Sequence, residues 1–149
     1  YYKTQEGHIC KFLGAIDFYT VGGKKRMIGN YAYRLRDDSG ADTIVGFENH
    51  SGRTYLGNNV RPLGTVLKGF GNNGEDKTEG ARYKNAFCTY SHGPVLPKNP
   101  VFADLILKTA LTRKYGSCSL EPLQDDFESQ AHDAALRQVL HPSWFPWRK

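Results

Sequence analysis

The chain is 149 residues long, 39% hydrophobic and 23% charged, which is one domain's worth of sequence with enough apolar material for a core, and argues against global disorder. Twenty basic residues against fifteen acidic ones leave a net charge of +5, yet the basic residues are scattered apart from Lys24-Lys25-Arg26, so the basic stripe with exposed aromatics of a nucleic-acid binder is missing. Three cysteines, Cys10, Cys88 and Cys118, with no Cys-x-x-Cys pair argue against a disulfide framework and a zinc knuckle; with no secretory signal and no bilayer-length apolar run, a cytoplasmic setting without membrane insertion is expected.

The chain opens on Tyr1-Tyr2-Lys3 rather than methionine and reads like the interior of something longer. Lys11 to Thr20 is apolar and β-inclined, interrupted by Gly14, and Gly22-Gly23 reads as a turn. Met27 to Arg36 predicts a strand, Asp37-Asp38-Ser39-Gly40 a turn, Thr43 to Phe47 a short strand, and Asn49 to Gly52 a loop. Leu63 to Gly69 is a further strand, and Gly71 to Asp76 is loop by composition. Ala86-Phe87-Cys88-Thr89-Tyr90 is strand-like and ends near His92, after which a glycine and two prolines turn the chain. A helix follows from Pro100 to Lys114, with Asn99 as cap, Gly116 as stop, and Phe102, Leu105, Ile106 and Ala110 on one face. A second helix runs from about Asp126 to Leu140 with Asp125 as its cap, and Pro142 to Lys149 reads as irregular. No internal repeat or domain boundary is visible.

His92 is the residue with the clearest chemical potential. Imidazole titrates nearest neutral pH, and a histidine at a strand end beside a turn is well placed to carry protons. For a lone histidine, satisfying hydrogen bonds at a strand terminus is the commoner role. Glu48, Asn49 and His50 cannot all converge on an extended chain, although Glu48 and His50 share a face, and they read as a loop-fixing group. Gly69 to Gly74 lacks the Gly-Lys-Ser/Thr ending of a phosphate-binding loop, so no ATP site is expected there. Asp76 and Glu79 read as solvated loop charges, and Lys24 and Lys25 as a solvated turn.

Four blocks change the weight given to His92. They are Gly14-Ala15-Ile16-Asp17-Phe18-Tyr19-Thr20 with Arg26-Met27-Ile28-Gly29; Ile44-Val45-Gly46-Phe47-Glu48-Asn49-His50-Ser51-Gly52-Arg53-Thr54; Gly69-Phe70-Gly71-Asn72-Asn73-Gly74-Glu75-Asp76 with Glu79-Gly80; and Thr89-Tyr90-Ser91-His92-Gly93-Pro94-Val95-Leu96-Pro97-Lys98-Asn99-Pro100. In this order the chain resembles class I glutamine amidotransferases of the cobyric-acid-synthase-like branch, and within it the GatD-type glutaminase subunits of lipid II isoglutaminyl synthases. The resemblance implies an α/β fold: the C-terminal part of a flavodoxin-like class I amidotransferase domain, with a mixed sheet and two C-terminal helices. It implies that a cysteine attacks the side-chain amide of glutamine, that His92 moves the protons, and that Arg26 binds glutamine. The ammonia would pass to a Mur-ligase-like synthetase subunit, in a heterodimer, that amidates D-glutamate of lipid II during peptidoglycan synthesis. No cofactor is implied for this domain, ATP belonging to the partner, and no metal.

The family's nucleophile sits in a Cys-Gly-Gly-Tyr-Gln-like turn that does not occur in this sequence. Residues 1–149 therefore read as a partial amidotransferase domain whose N-terminal half, with the cysteine, is a missing partner. Such a remnant is expected to expose sheet edges and to depend on another chain. Cys88, four residues before His92, would lie about 13 Å from it on a strand at roughly 3.3 Å per residue. Pro94 stands where other class I amidotransferases often carry an acid, so a Cys-His dyad is the expectation. Two alternatives remain: a cobyric-acid-synthase-like amidotransferase, and a catalytically inactive module that docks on the synthetase.

Overall fold

In the computed structural model, residues 1–36 and 42–142 are described. Among these residues eight strands, β1 (Tyr2–Lys3), β2 (Ile9–Cys10), β3 (Phe18–Leu35), β4 (Thr43–Leu56), β5 (Gly64–Lys68), β6 (Thr78–Glu79), β7 (Ala81–Tyr83) and β8 (Ala86–Cys88), precede two helices, α1 (Pro100–Tyr115) and α2 (Asp126–Leu140). The centre is the long β3–β4 antiparallel pair. On the other side of β3, β1 pairs in parallel with its first half and β5 antiparallel with its last residues. The sheet is therefore mixed, and β7 and β8 form a separate two-stranded sheet.

Alternation along β3 sets the layers. Tyr31, Tyr33 and Leu35 face one way and, with Ile44 and Leu63, pack on Phe102 of α1, joined by Phe87, Val95, Leu105 and Ile106. Ala32 and Val45 face the other way and pack on Val139, Ala135, Leu136 and Leu140 of α2. Successive strand side chains point to opposite faces, so the two helices cover opposite sides of the sheet. Full burial of Phe102 alone is worth about 1.5–3 kcal/mol. The expected α/β arrangement, with a mixed sheet and two helices at its C-terminal end, is what the chain forms. No helix among the described residues is long and apolar enough to cross a membrane.

Several local expectations are corrected. Gly22-Gly23 is not a turn: β3 continues through it, and the register jumps between Gly22↔Gly52 and Met27↔His50, so residues 23–26 bulge from the ladder. Asn49 to Gly52 is not a loop but the middle of β4, its polar side chains supported by pairing with β3. Lys11 to Asp17 forms no strand; Gly14 takes φ 67°, and Phe12 and Leu13 are exposed. The strand before His92 ends at Cys88, so the separation reckoned along a continuous strand to His92 does not apply. Asn99 is the N-cap residue of α1, as expected, but its side chain makes no cap bond; its amide accepts from the Val45 N–H at 2.8 Å and donates to Val45 O at 2.9 Å and Val95 O. Ala110 faces solvent instead of the core. The Asp37–Gly40 turn and nearly all of the irregular Pro142–Lys149 segment lie outside the described residues.

Candidate active site

The site is organised by the middle of β4. Phe47 accepts, through its carbonyl, the N–H of His92 at 2.7 Å in an isolated antiparallel bridge. Two residues on, Asn49 Oδ1 accepts from Arg26 Nε at 2.6 Å. Arg26 projects from the β3 bulge and is exposed, as is His92. One strand thus ties both sequence-predicted residues to points about 7 Å apart along its axis, at ~3.3 Å per residue. The bulge matters here: a regular ladder would have placed Arg26 as one more paired strand residue, whereas the excursion frees its side chain to reach Asn49.

Between those points, Glu48 is buried and turns to the opposite loop. Its two oxygens accept the N–H groups of Phe70 and Gly71, each at 2.9 Å. Burial pushes the Glu48 carboxyl upward and these two N–H donors pull it back. The Gly69 to Asp76 loop is built on this carboxylate and on Asn72 and Asn73, whose amides donate to Gly80 O and Thr54 O. No phosphate-cradling geometry is needed to explain its glycines: Gly71 has φ 64°, and a Cβ there would collide with the Thr78 carbonyl.

His50 shares the Glu48 face, as alternation required. Its Nδ1 donates to Gly52 O at 2.8 Å, and its ring stacks on Tyr90 with centroids 3.6 Å apart. Burial holds the imidazole below its ordinary pKa, and the nearby His92 adds to this. His50 is therefore neutral, and the 3.9 Å separation of Nε2 from Glu48 Oε2 is a close approach, not an ion pair. Tyr90 is fixed at its far end by Thr54, 2.6 Å from its hydroxyl. Sequence reasoning did not single out Tyr90 and gave Asn49 only a loop-fixing part; the structure places them beside His50 and Arg26.

Glu79 is the second correction of consequence. It was expected to be a solvated charge and is fully buried instead. Its Oε1 accepts the Thr89 hydroxyl at 2.7 Å and the Tyr90 N–H at 2.9 Å. Burial raises its carboxyl above the ordinary range, and those two donors oppose the rise. Nothing in a Lys-Thr-Glu-Gly run signals burial; the glycine is the only hint, since Gly80 takes φ 61° and any Cβ would strike the Cys88 carbonyl. Asp76, by contrast, is exposed as expected, and lies below its ordinary range through bonds from Asn73 and Thr78.

None of the three cysteines stands in the turn the nucleophile requires. Cys10 is exposed on β2, Cys118 lies between the helices, and Cys88 is half-buried with its thiol pushed up by burial, the reverse of what activation requires. No group of three His, Cys, Asp or Glu among the described residues could hold a metal ion. A cleft of about 420 Å³ on the sheet face is lined by Ile28, Asn30, Glu48, Lys68 and Phe70; neither Arg26 nor His92 lines it.

Residues 1–100 match the model of the CobB/CobQ-like glutamine amidotransferase domain, a span that holds Arg26, the whole of β4 and His92. The chain belongs to this amidotransferase family. Relatives among curated proteins are the GatD subunits of lipid II isoglutaminyl synthase (glutamine-hydrolyzing) from Staphylococcus aureus strain N315, 45% identical over 139 residues, and from Streptococcus pneumoniae strain ATCC BAA-255 / R6, 40% identical over 131 residues. These alignments cover 93% and 87% of this amidotransferase chain but only 53% and 50% of the relatives, so the chain spans about half their length.

Proposed function

We propose that the protein containing this chain hydrolyses glutamine in the cytoplasm and delivers the ammonia to a Mur-ligase-like synthetase subunit that amidates D-glutamate of lipid II, and that residues 1–149 are the C-terminal part of the glutaminase domain. A cysteine outside these residues is the nucleophile. The observation that carries the reading is the attachment of both Arg26 and His92 to β4, two positions apart, in a chain of this family.

The chemistry follows from the groups. Arg26 offers a planar pair of donors to the α-carboxylate of glutamine. The cysteine thiolate, formed as His92 takes its proton, attacks the side-chain carbonyl carbon. His92 returns that proton to the departing nitrogen, so ammonia leaves and a thioester remains. His92 then deprotonates a water that attacks the thioester, releasing glutamate and restoring the thiol. His50, neutral and stacked behind Tyr90, adds no positive charge beside His92.

Kinetics on the full-length protein test this. His92→Ala removes the proton carrier and abolishes ammonia release from glutamine, with the protein still folded. Arg26→Ala chiefly raises KM for glutamine; losing a charged hydrogen bond costs roughly 1.5–3 kcal/mol, on the order of a 10- to 100-fold increase. Residues 1–149 alone release no ammonia above a His92→Ala control. Wild-type turnover in the full-length His92→Ala protein defeats the assignment. Normal assembly with the synthetase but no glutaminase activity in the wild type favours a docking module.

A further inference from the structure

Glu79 carries a carboxyl group with no exposure, and no Lys, Arg or His among the described residues pairs with it. Burying a carboxylate without a cation is costly, so its surroundings indicate what it holds. Its Oε1 is held by Thr89 and Tyr90, two of the three residues before His92, and the Tyr31 hydroxyl lies within reach of the same carboxyl. Oε1 takes the Thr89 hydroxyl and the Tyr90 N–H. Thr89 Oγ1 in turn accepts the Ser91 N–H at 2.9 Å. Ser91 Oγ lies 2.7 Å from the Tyr31 hydroxyl, against a glycine on β4, Gly46, where a Cβ would press on both side chains. The next residue is His92, whose N–H is already held by Phe47. The segment approaching the imidazole is thus pinned from a buried carboxylate on β6, while the imidazole itself stays exposed.

We infer that Glu79 is a positioning residue for His92, its carboxylate fixing Thr89–Ser91 so that the ring is presented at one height on the edge of β4. This rests on the glutaminase reading. A shift of about 1 Å in a proton carrier can cost on the order of 100-fold in rate while leaving substrate binding at Arg26 untouched.

The test is steady-state glutaminase kinetics on the full-length protein. Glu79→Ala is expected to lower kcat at least about tenfold with KM for glutamine within about twofold. Glu79→Gln retains a carbonyl oxygen to accept from Thr89 and Tyr90, and restores kcat to within about threefold of wild type. Thr89→Val, which severs one of the two bonds to Glu79 together with the Ser91 N–H bond to Thr89, falls between them with KM unchanged. Glu79→Ala with wild-type kcat overturns the inference, as does Glu79→Gln no better than Glu79→Ala, or KM rising as much as kcat falls. Should Glu79→Ala not fold, Thr89→Val decides, wild-type kcat in that variant counting against the inference. A wild-type protein without glutaminase activity, or one indifferent to His92→Ala, removes the functional reading and this inference together. An active wild type, dead with His92→Ala and unaffected at Glu79, removes this inference alone.

Discussion

His50 couples the site to pH through stability. Its folded-state pKa is lowered, mainly by burial, from the ordinary 6.5. Below that value the unfolded chain takes up a proton the folded chain refuses. The contribution of neutral His50 is therefore complete above pH 6.5 and declines as pH falls through the window beneath it. Glu48 and Glu79 run the other way: both are raised above 4.5, so their ionisation penalises the fold at neutral pH and is relieved on acidification. Substituting His50→Phe keeps a ring on Tyr90 and removes the titration. Urea denaturation of the full-length protein is expected to show wild type ahead of this variant at pH 7, with the gap narrowing as pH drops toward 5; a gap that widens contradicts the neutral assignment. His92 and Arg26 stood out as candidates in the sequence because they sit in contiguous blocks. Glu79 was not, because a single carboxylate in a glycine-rich run looks the same whether it faces water or the core. What decides its burial is the β7–β8 hairpin, which folds residues 89–91 back onto it some ten positions later.

At the scale of elements, α1, α2, β5 and the start of β4 were readable from periodicity and punctuation, and the helices end within a residue of where Gly116 and Leu140 imply. The middle of β4 was unreadable, since Glu48 to Arg53 carries no apolar alternation. It is a strand because β3 supplies a full-length partner and because its polar side chains find partners, Asn49 with Arg26, Glu48 with the 70–71 amides, and His50 with Gly52. Asn99 misled differently. Its residue type and position fit a helix cap, but the amide acts on β4 as an added piece of backbone, giving and taking one bond each at Val45. Asn99→Ala leaves a buried Val45 N–H without a partner, at a cost of about 1–3 kcal/mol. Asn99→Asp keeps the acceptor and loses both donations, to the Val45 and Val95 carbonyls. Both variants are expected to lower the denaturation midpoint of the full-length protein, and a midpoint unchanged in both contradicts the clamp.

For the molecule as a whole, β4 serves as a shared spine. It pairs with β3 along nearly its entire length, yet its other margin is engaged by only a few groups, the His92 amide and the Asn99 carboxamide among them. Large apolar side chains at Phe12, Leu13, Leu123 and Phe127 stay exposed, on the segment before β3 and around the start of α2 rather than on the sheet. The bridge at Phe47 has a kinetic corollary. A hydrogen on the peptide nitrogen of His92 can trade with deuterium only when the bond to Phe47 opens, and Phe47 lies on β4, which pairs with β3 along nearly its entire length. In deuterated water, labelling at that one nitrogen should keep pace with the interior of β4, while exposed Gly93 beside it labels at once.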